Sequence, residues 1–223
     1  MGDMNDLEQA LRATKLPAGD AGAAAAAGRL FARAEDEGLL NVAYAKVDSP
    51  FGGMLAAVTP RGLLRLSYGA GHDDSVLEEI AAKVSPRVLE APARLDAVRR
   101  QLDEYFEGHR RTFDLKLDWQ LTRGFVQRIL RATARLDYGE LATYKQMAEA
   151  AGSPRAVRAA GNALGSNPIP IVVPCHRIVR TGGKMGGYGG EIGPYIGGSD
   201  IKRRLLELEG ALDEHGRPRD PRG

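Results

Sequence analysis

The segment Thr143–Gly165, TYKQMAEAAGSPRAVRAAGNALG, decides how the second half of the chain folds. Thr143 followed three residues later by Gln146 is a capping box, which starts a short helix, and Gly152 can end it. Ser153 is then an N-cap and Pro154 a first helical residue, so a second short helix follows after a tight turn. Two short helices joined this way have the geometry of a DNA-reading helix-turn-helix, although plain helical hairpins share the pattern. The second helix carries Arg155 and Arg158 among the small residues Ala156, Ala159, Ala160 and Gly161. Small residues admit a groove and equally admit close packing in a core, so they leave both readings open.

Immediately downstream stands NPIPIVVPCHRIV, Asn167–Val179, with the chain's one cysteine. The run IPIVV is β-branched and apolar, and the sequence predicts it buried and extended, with Pro168, Pro170 and Pro174 denying it a regular ladder. Cys175 sits where this run turns polar. A nucleophilic thiol needs cationic or hydrogen-bonding neighbours, and His176 and Arg177 adjoin it. Consecutive side chains diverge in a strand, so contact between Cys175 and His176 requires a helical turn here. By residue type alone a single buried Cys serves equally as a small core hydrophobe.

Upstream, RGFVQRILRATARL has helical spacing and DYGE breaks it. Residues 41–117 alternate as short strands (NVAYAKV, MLAAVT, LLRLSYG) around turns, then as helices in DSVLEEIAAKV and LDAVRRQLDEYFEG. They read as a small α+β scaffold domain, and 118–211 as a mostly helical domain. Residues 1–40, rich in Ala, Leu, Arg and Glu, read as a helical extension, and 212–223 as a flexible tail.

Charge divides along the same line. Residues 1–117 carry 15 Lys and Arg against 18 Asp and Glu, whereas 118–211 carry 13 against 8. The positive excess lies with the cysteine and suits a polyanion such as DNA, though a solvated basic face would look the same. One cysteine closes no internal disulfide and builds no cysteine cage for zinc. The acidic start lacks a signal-peptide pattern, and no apolar run approaches the ~20 residues that span a bilayer. The expectation is a cytoplasmic protein without membrane partners.

The ordered set PIPIVVPCHRIV resembles the active-site signature of O6-alkylguanine-DNA alkyltransferases, the methylated-DNA–protein-cysteine methyltransferase family. The resemblance runs from about residue 42 to Gly210 and is strongest from Tyr138 to Tyr188. It implies an RNase H-like α+β scaffold domain followed by a helix-turn-helix, winged-helix-like domain. The implied activity is stoichiometric, irreversible transfer of an alkyl group to the protein's own cysteine. The substrate would be O6-methylguanine, with O4-methylthymine as a second substrate, flipped out of duplex DNA. No metal or organic cofactor is implied. The implied roles are Cys175 as acceptor, His176 as base through a water, Glu209 as its orienting carboxylate and Asn167 as the tie of the turn. Tyr144 would rotate the nucleotide and donate a proton to the departing guanine.

By the same resemblance Arg158 would fill the gap left in the duplex. Ser153, Arg155, Ala156 and Val157 would lie with it along the minor groove. Leu164, Pro170, Ile178, Gly186 and Tyr188 would line the pocket, with carbonyls of Cys175 and Ile178 offered to the base. A monomer is implied. Departures are Val126 and Leu130, where relatives carry glutamine and tryptophan, and a long GEIGPYIGGSD stretch at 190–200. A non-catalytic lesion binder on the same fold lacks the cysteine, which this chain keeps. A thiol-based transcriptional sensor would carry an effector or dimerisation element, for which only the N-terminal helix offers itself.

Overall fold

Within residues 42–68 the alternating strands pair as read. β1 (Val42–Val47), β2 (Met54–Thr59) and β3 (Gly62–Tyr68) form antiparallel neighbours. β4 (Val88–Glu90) adds parallel to β1, giving the order β3-β2-β1-β4. These come from a computed structural model that describes residues 33, 41–68, 72–182, 184–185, 199–219 and 221. Residues 1–40 and 41–223 separate into two units. Of the first unit only Arg33, in α-helix, is described, so the helical extension read there lies outside the described residues.

Between β3 and β4, α1 (Asp73–Lys83) lays Val76 and Ile80, four residues apart on one helix face, against Val42, Leu55, Ala57 and Leu64. A 3-10 turn at Pro92–Leu95 leads into α2 (Asp96–Phe106), which buries Val98, Leu102 and Tyr105 at helical spacing. The alternating FDLKLDW stretch makes only a single bridge, Leu117 to Leu63. Gly62 has φ +135, and a Cβ there would lie 2.2 Å from the Lys116 carbonyl oxygen, so only glycine lets the linker pass this close.

The second domain begins with α3 (Gly124–Thr133), which packs on α4 (Tyr144–Ala150) and α5 (Val157–Gly165). The capping box is present. The Thr143 hydroxyl accepts from Gln146 N at 3.1 Å, and Gln146 Oε1 accepts from Thr143 N at 2.6 Å. Gly152, at φ +73, closes the turn after α4. Ser153 is not an N-cap and Pro154 is not helical. Ser153 O accepts from Ala156 N at 2.9 Å, a reverse turn suited to proline at its second position, and α5 starts at Val157 without a side-chain cap.

The small residues divide. Ala160 and Ala163 enter the core, while Ala159 stays outside. The IPIVV run is buried but not extended. It folds into a tight turn bridged from Pro170 to Val173, with Ile171 at φ +72, because the flanking prolines fix the backbone on both sides. β5 (Ala142–Thr143) and β6 (Ile178–Val179) pair in parallel, and α6 (Ser199–Leu208) closes the domain.

Beyond α6 the first residues of the expected flexible tail close a short local turn. The Asp213 carboxylate accepts from the backbone N–H of His215 and Arg217, and Leu212 bridges Pro218. Among the described residues no helix is long and apolar enough to cross a membrane.

Candidate active site

Cys175 opens a single 3-10 turn, Cys175–Arg177, so the chain does enter a helical turn here. It is buried at 1% exposure. Asn167, at the end of α5, donates through Nδ2 to Cys175 Sγ at 2.9 Å and to the Val173 carbonyl at 2.8 Å. Its Oδ1 accepts from Ile169 N at 3.0 Å. One amide therefore fixes both the sulfur and the turn that carries it.

His176 is fully buried. Its Nε2 lies 2.9 Å from Glu209 Oε1, at the end of α6. Glu209 also accepts from Arg177 Nε at 2.8 Å, Arg177 Nη2 at 2.7 Å, Tyr105 Oη at 2.7 Å and Gly139 N at 3.2 Å. Burial by itself would raise this carboxyl's pKa. The charges and hydrogen bonds of His176 and Arg177 outweigh burial and hold it well below the usual carboxylate range.

An ionised Glu209 can only accept, so His176 Nε2 carries the hydrogen. Burial lowers the His176 pKa, with Glu209 opposing, so the ring stays neutral at neutral pH. Nδ1 is then a lone-pair acceptor. It is buried and has no hydrogen-bond partner among the described residues.

Tyr144 is the first residue of α4 and half-buried, its ring alongside Gly161. Burial first, then the proximity of Cys175, raises its phenol pKa against Arg180, so it keeps its proton. Leu164, Pro170 and Ile178 are buried. Ser153 and Ala156 are partly exposed, and Arg155, Val157 and Arg158 project from the start of α5. Gly186, Tyr188 and most of the 190–200 stretch lie outside the described residues.

Three participants escape a reading of local sequence. Arg177, which the sequence offers only as a cationic neighbour of the thiol, forks onto Glu209 and reaches the Leu136 carbonyl at 2.6 Å. Tyr105 arrives from the scaffold domain. Lys202, fully buried on α6, donates to the Ile178 carbonyl. Burial brings its pKa down to about 8, while the nearby Cys175 raises it. For Lys202 a signal existed: it stands on the apolar face of α6 between Ile201 and Leu205. Among the described residues no group of three or more His, Cys, Asp or Glu is arranged to hold a metal.

A buried thiol, an imidazole aligned by a carboxylate, and a helix pair with an exposed basic leading edge define a cysteine-dependent, helix-turn-helix class of protein. Residues 42–119 match the 6-O-methylguanine DNA methyltransferase ribonuclease-like domain, and residues 124–211 match the DNA-binding domain of the same description. A methylated-DNA–protein-cysteine methyltransferase of Methanosarcina barkeri is 36% identical over 166 residues, covering 74% of this chain and 96% of the relative. The constitutive Bacillus subtilis protein of that name is 34% identical, covering 74% and 94%. The crystal structure of Mycobacterium tuberculosis O6-methylguanine methyltransferase is similar at TM-score 0.61 and 36% identity, covering 75% of this chain and 92% of that one. The M. tuberculosis OGT structure in complex with DNA is similar at 0.59 and 35%. This chain belongs to the methylated-DNA–protein-cysteine methyltransferase family.

Proposed function

We propose that this chain repairs O6-alkylguanine in duplex DNA by moving the alkyl group irreversibly to Cys175 Sγ. The observation that carries the reading is the His176 ring, turned by Glu209 so that a buried Nδ1 lone pair, unpartnered among the described residues, stands one residue from a buried thiol. In the reaction a water relays the Cys175 proton to Nδ1. Sγ then attacks the alkyl carbon, a C–S bond forms and the C–O6 bond breaks. The electron pair leaves with guanine, and the Tyr144 hydroxyl supplies the proton that neutralises it. Atoms and charge balance without a metal or an organic cofactor. A neutral thioether has no leaving pathway toward water, so each chain acts once.

For the partner, α5 lies along the minor groove, and a monomer suffices. Val157, at 38% exposure, is the large apolar side chain left open among the described residues, and it sits between Ala156 and Arg158 at the helix start. An exposed apolar residue beside an arginine fits insertion at an opened base step, with the guanidinium occupying the vacated stack. Ser153 and Arg155 flank it toward the phosphates. Leu164, Pro170 and Ile178 wall the base pocket, and Asn167 holds the turn. Gly186 and Tyr188 are assigned to the pocket on the family pattern alone. A scaffold domain ending before residue 118, followed by the alkyltransferase domain to 211, is the division we adopt.

The test uses duplex DNA with one O6-methylguanine labelled in the methyl group. Label should move to protein, stop at about one methyl per chain, and map to the Cys175 peptide, as a single nucleophile dictates. Cys175→Ala should bind DNA and take no label. Repeated turnover, or label elsewhere, overturns the reading.

A further inference from the structure

A second feature lies away from the thiol, where the linker 117–123 meets α3. An open cleft of about 520 Å³ is rimmed by Arg61, Lys83, Arg123 and Arg131, with Trp119 among its lining residues. The three arginines are exposed, and none has a carboxylate partner among the described residues. Lys83 is engaged by Glu79 at 2.8 Å. The cleft's one carboxylate, Asp118, is 3% exposed and spent on the Thr59 hydroxyl and on Gln120.

The walls are fixed in place. Leu63 N donates to Lys116 O and Asp118 N to Leu63 O, both at 2.8 Å, which pins the linker to β3. Gln127 Nε2 donates to the carbonyls of Trp119 and Thr122. The Arg131 guanidinium stands 4.9 Å from the centre of the Trp119 ring, so one charge is already oriented. Like charges gathered on one rim repel, and an anion seated among them relieves that repulsion. Arginine forks match phosphate oxygens in pairs, and a flat aromatic ring beside them offers a face or edge to a base.

We propose that this cleft binds phosphate groups of a nucleotide, either along a DNA strand continuing past the recognition helix or in a free mononucleotide. Gln127 and Arg131 stand four residues apart on α3, and Arg123 is the extended residue that leads into it. Arg128, one step around the same helix, donates to Ala151 O in the helix-turn-helix. Arg131 and the Arg128 that supports the DNA-reading helices therefore stand on the same helix.

Trp119 is the chain's sole tryptophan, so its fluorescence reports the cleft directly. The full chain is titrated with adenosine monophosphate, with a duplex one turn long, and with a duplex extending a further turn on each side. A saturable emission change is expected with the mononucleotide, with the longer duplex, or with both. It should be lost in the triple variant Arg61→Gln/Arg123→Gln/Arg131→Gln. If the source is the DNA strand, the change belongs to the longer duplex, and the triple variant lowers the salt dependence of its binding by about two to three in log–log slope. If the source is free nucleotide, the mononucleotide alone moves the emission. The proposal is overturned if neither ligand moves it, or if the triple variant responds as the parent does. Methyl transfer from a free O6-alkylguanine base should be unchanged in the variant. That readout separates failure of the cleft from failure of the alkyl-transfer reading.

Discussion

Tyr105 and Glu209 meet in a buried hydrogen bond of 2.7 Å across 104 positions of sequence, so the scaffold domain supplies a donor to the carboxylate that aligns His176. Tyr105→Phe removes that donor and nothing else of size. A buried hydrogen bond to a charged group is worth about 1.5–3 kcal/mol, and urea unfolding should show a loss in that range. Single-turnover alkyl transfer should slow severalfold, because Glu209 keeps its bonds to His176 and Arg177 but loses one of its fixed supports. An unchanged rate would reduce Tyr105 to a packing residue.

Glu209→Gln should be far more damaging. It leaves the Arg177 guanidinium buried without its counter-charge, which costs about 3–5 kcal/mol. It also lets the His176 ring turn. The variant should unfold at markedly lower urea and transfer methyl groups slowly even where it remains folded. Normal single-turnover kinetics in the folded fraction would contradict the aligned-imidazole argument.

Asn167→Ala tests the tie between α5 and the thiol. Ile169 N and Val173 O lose their buried partner, at about 1–3 kcal/mol each for a group left unsatisfied. Transfer should fall on the duplex and on the free base alike, since the sulfur's position is altered in both. Arg158→Ala should behave oppositely, slowing transfer from duplex and sparing the free base, from which nothing is extruded.

Lys202 gives a pH prediction. Its folded pKa, about 8, lies below the unfolded value of 10.5. Below pH 8 the lysine is charged in both states, and burying that charge opposes folding. Between pH 8 and 10.5 the unfolded chain binds more protons than the folded one, so stability rises with pH. Lys202→Met should therefore be more stable than the parent at pH 7, by at most roughly 3 kcal/mol. The gap should shrink as pH climbs from 8 toward 10.5, as followed by urea midpoints. Alkyl transfer should drop about tenfold in the same variant, since the cation beside Cys175 is gone.

Much of this architecture is written locally. The capping box at Thr143 and Gln146, the alternation in β1 and the i, i+4 apolar pairs of α1 depend on near neighbours, and sequence carries them. The start of α5 misled because Ser153-Pro154 satisfies a reverse turn as readily as a helix N-terminus, and the wider fold chooses. The IPIVV turn misled because β-branched residues favour strands, whereas the prolines around Ile171 impose a bend. The site itself is legible only in part. Cys175 and His176 adjoin, but Glu209 joins them through family resemblance rather than spacing. Tyr105 carries no local mark at all, because a buried hydroxyl is defined by what it meets.

The position of Glu209, 33 residues after His176, has a consequence for synthesis. The ribosome releases the thiol and its imidazole well before the carboxylate that orders them. Until α6 has emerged and docked, Arg177 lacks its partner and His176 its orientation. On the mechanism proposed above, a chain stopped short of Glu209 should keep the thiol and transfer no alkyl group, which labelled duplex would check. By the same mechanism the thiol's surroundings are completed only when α6 docks.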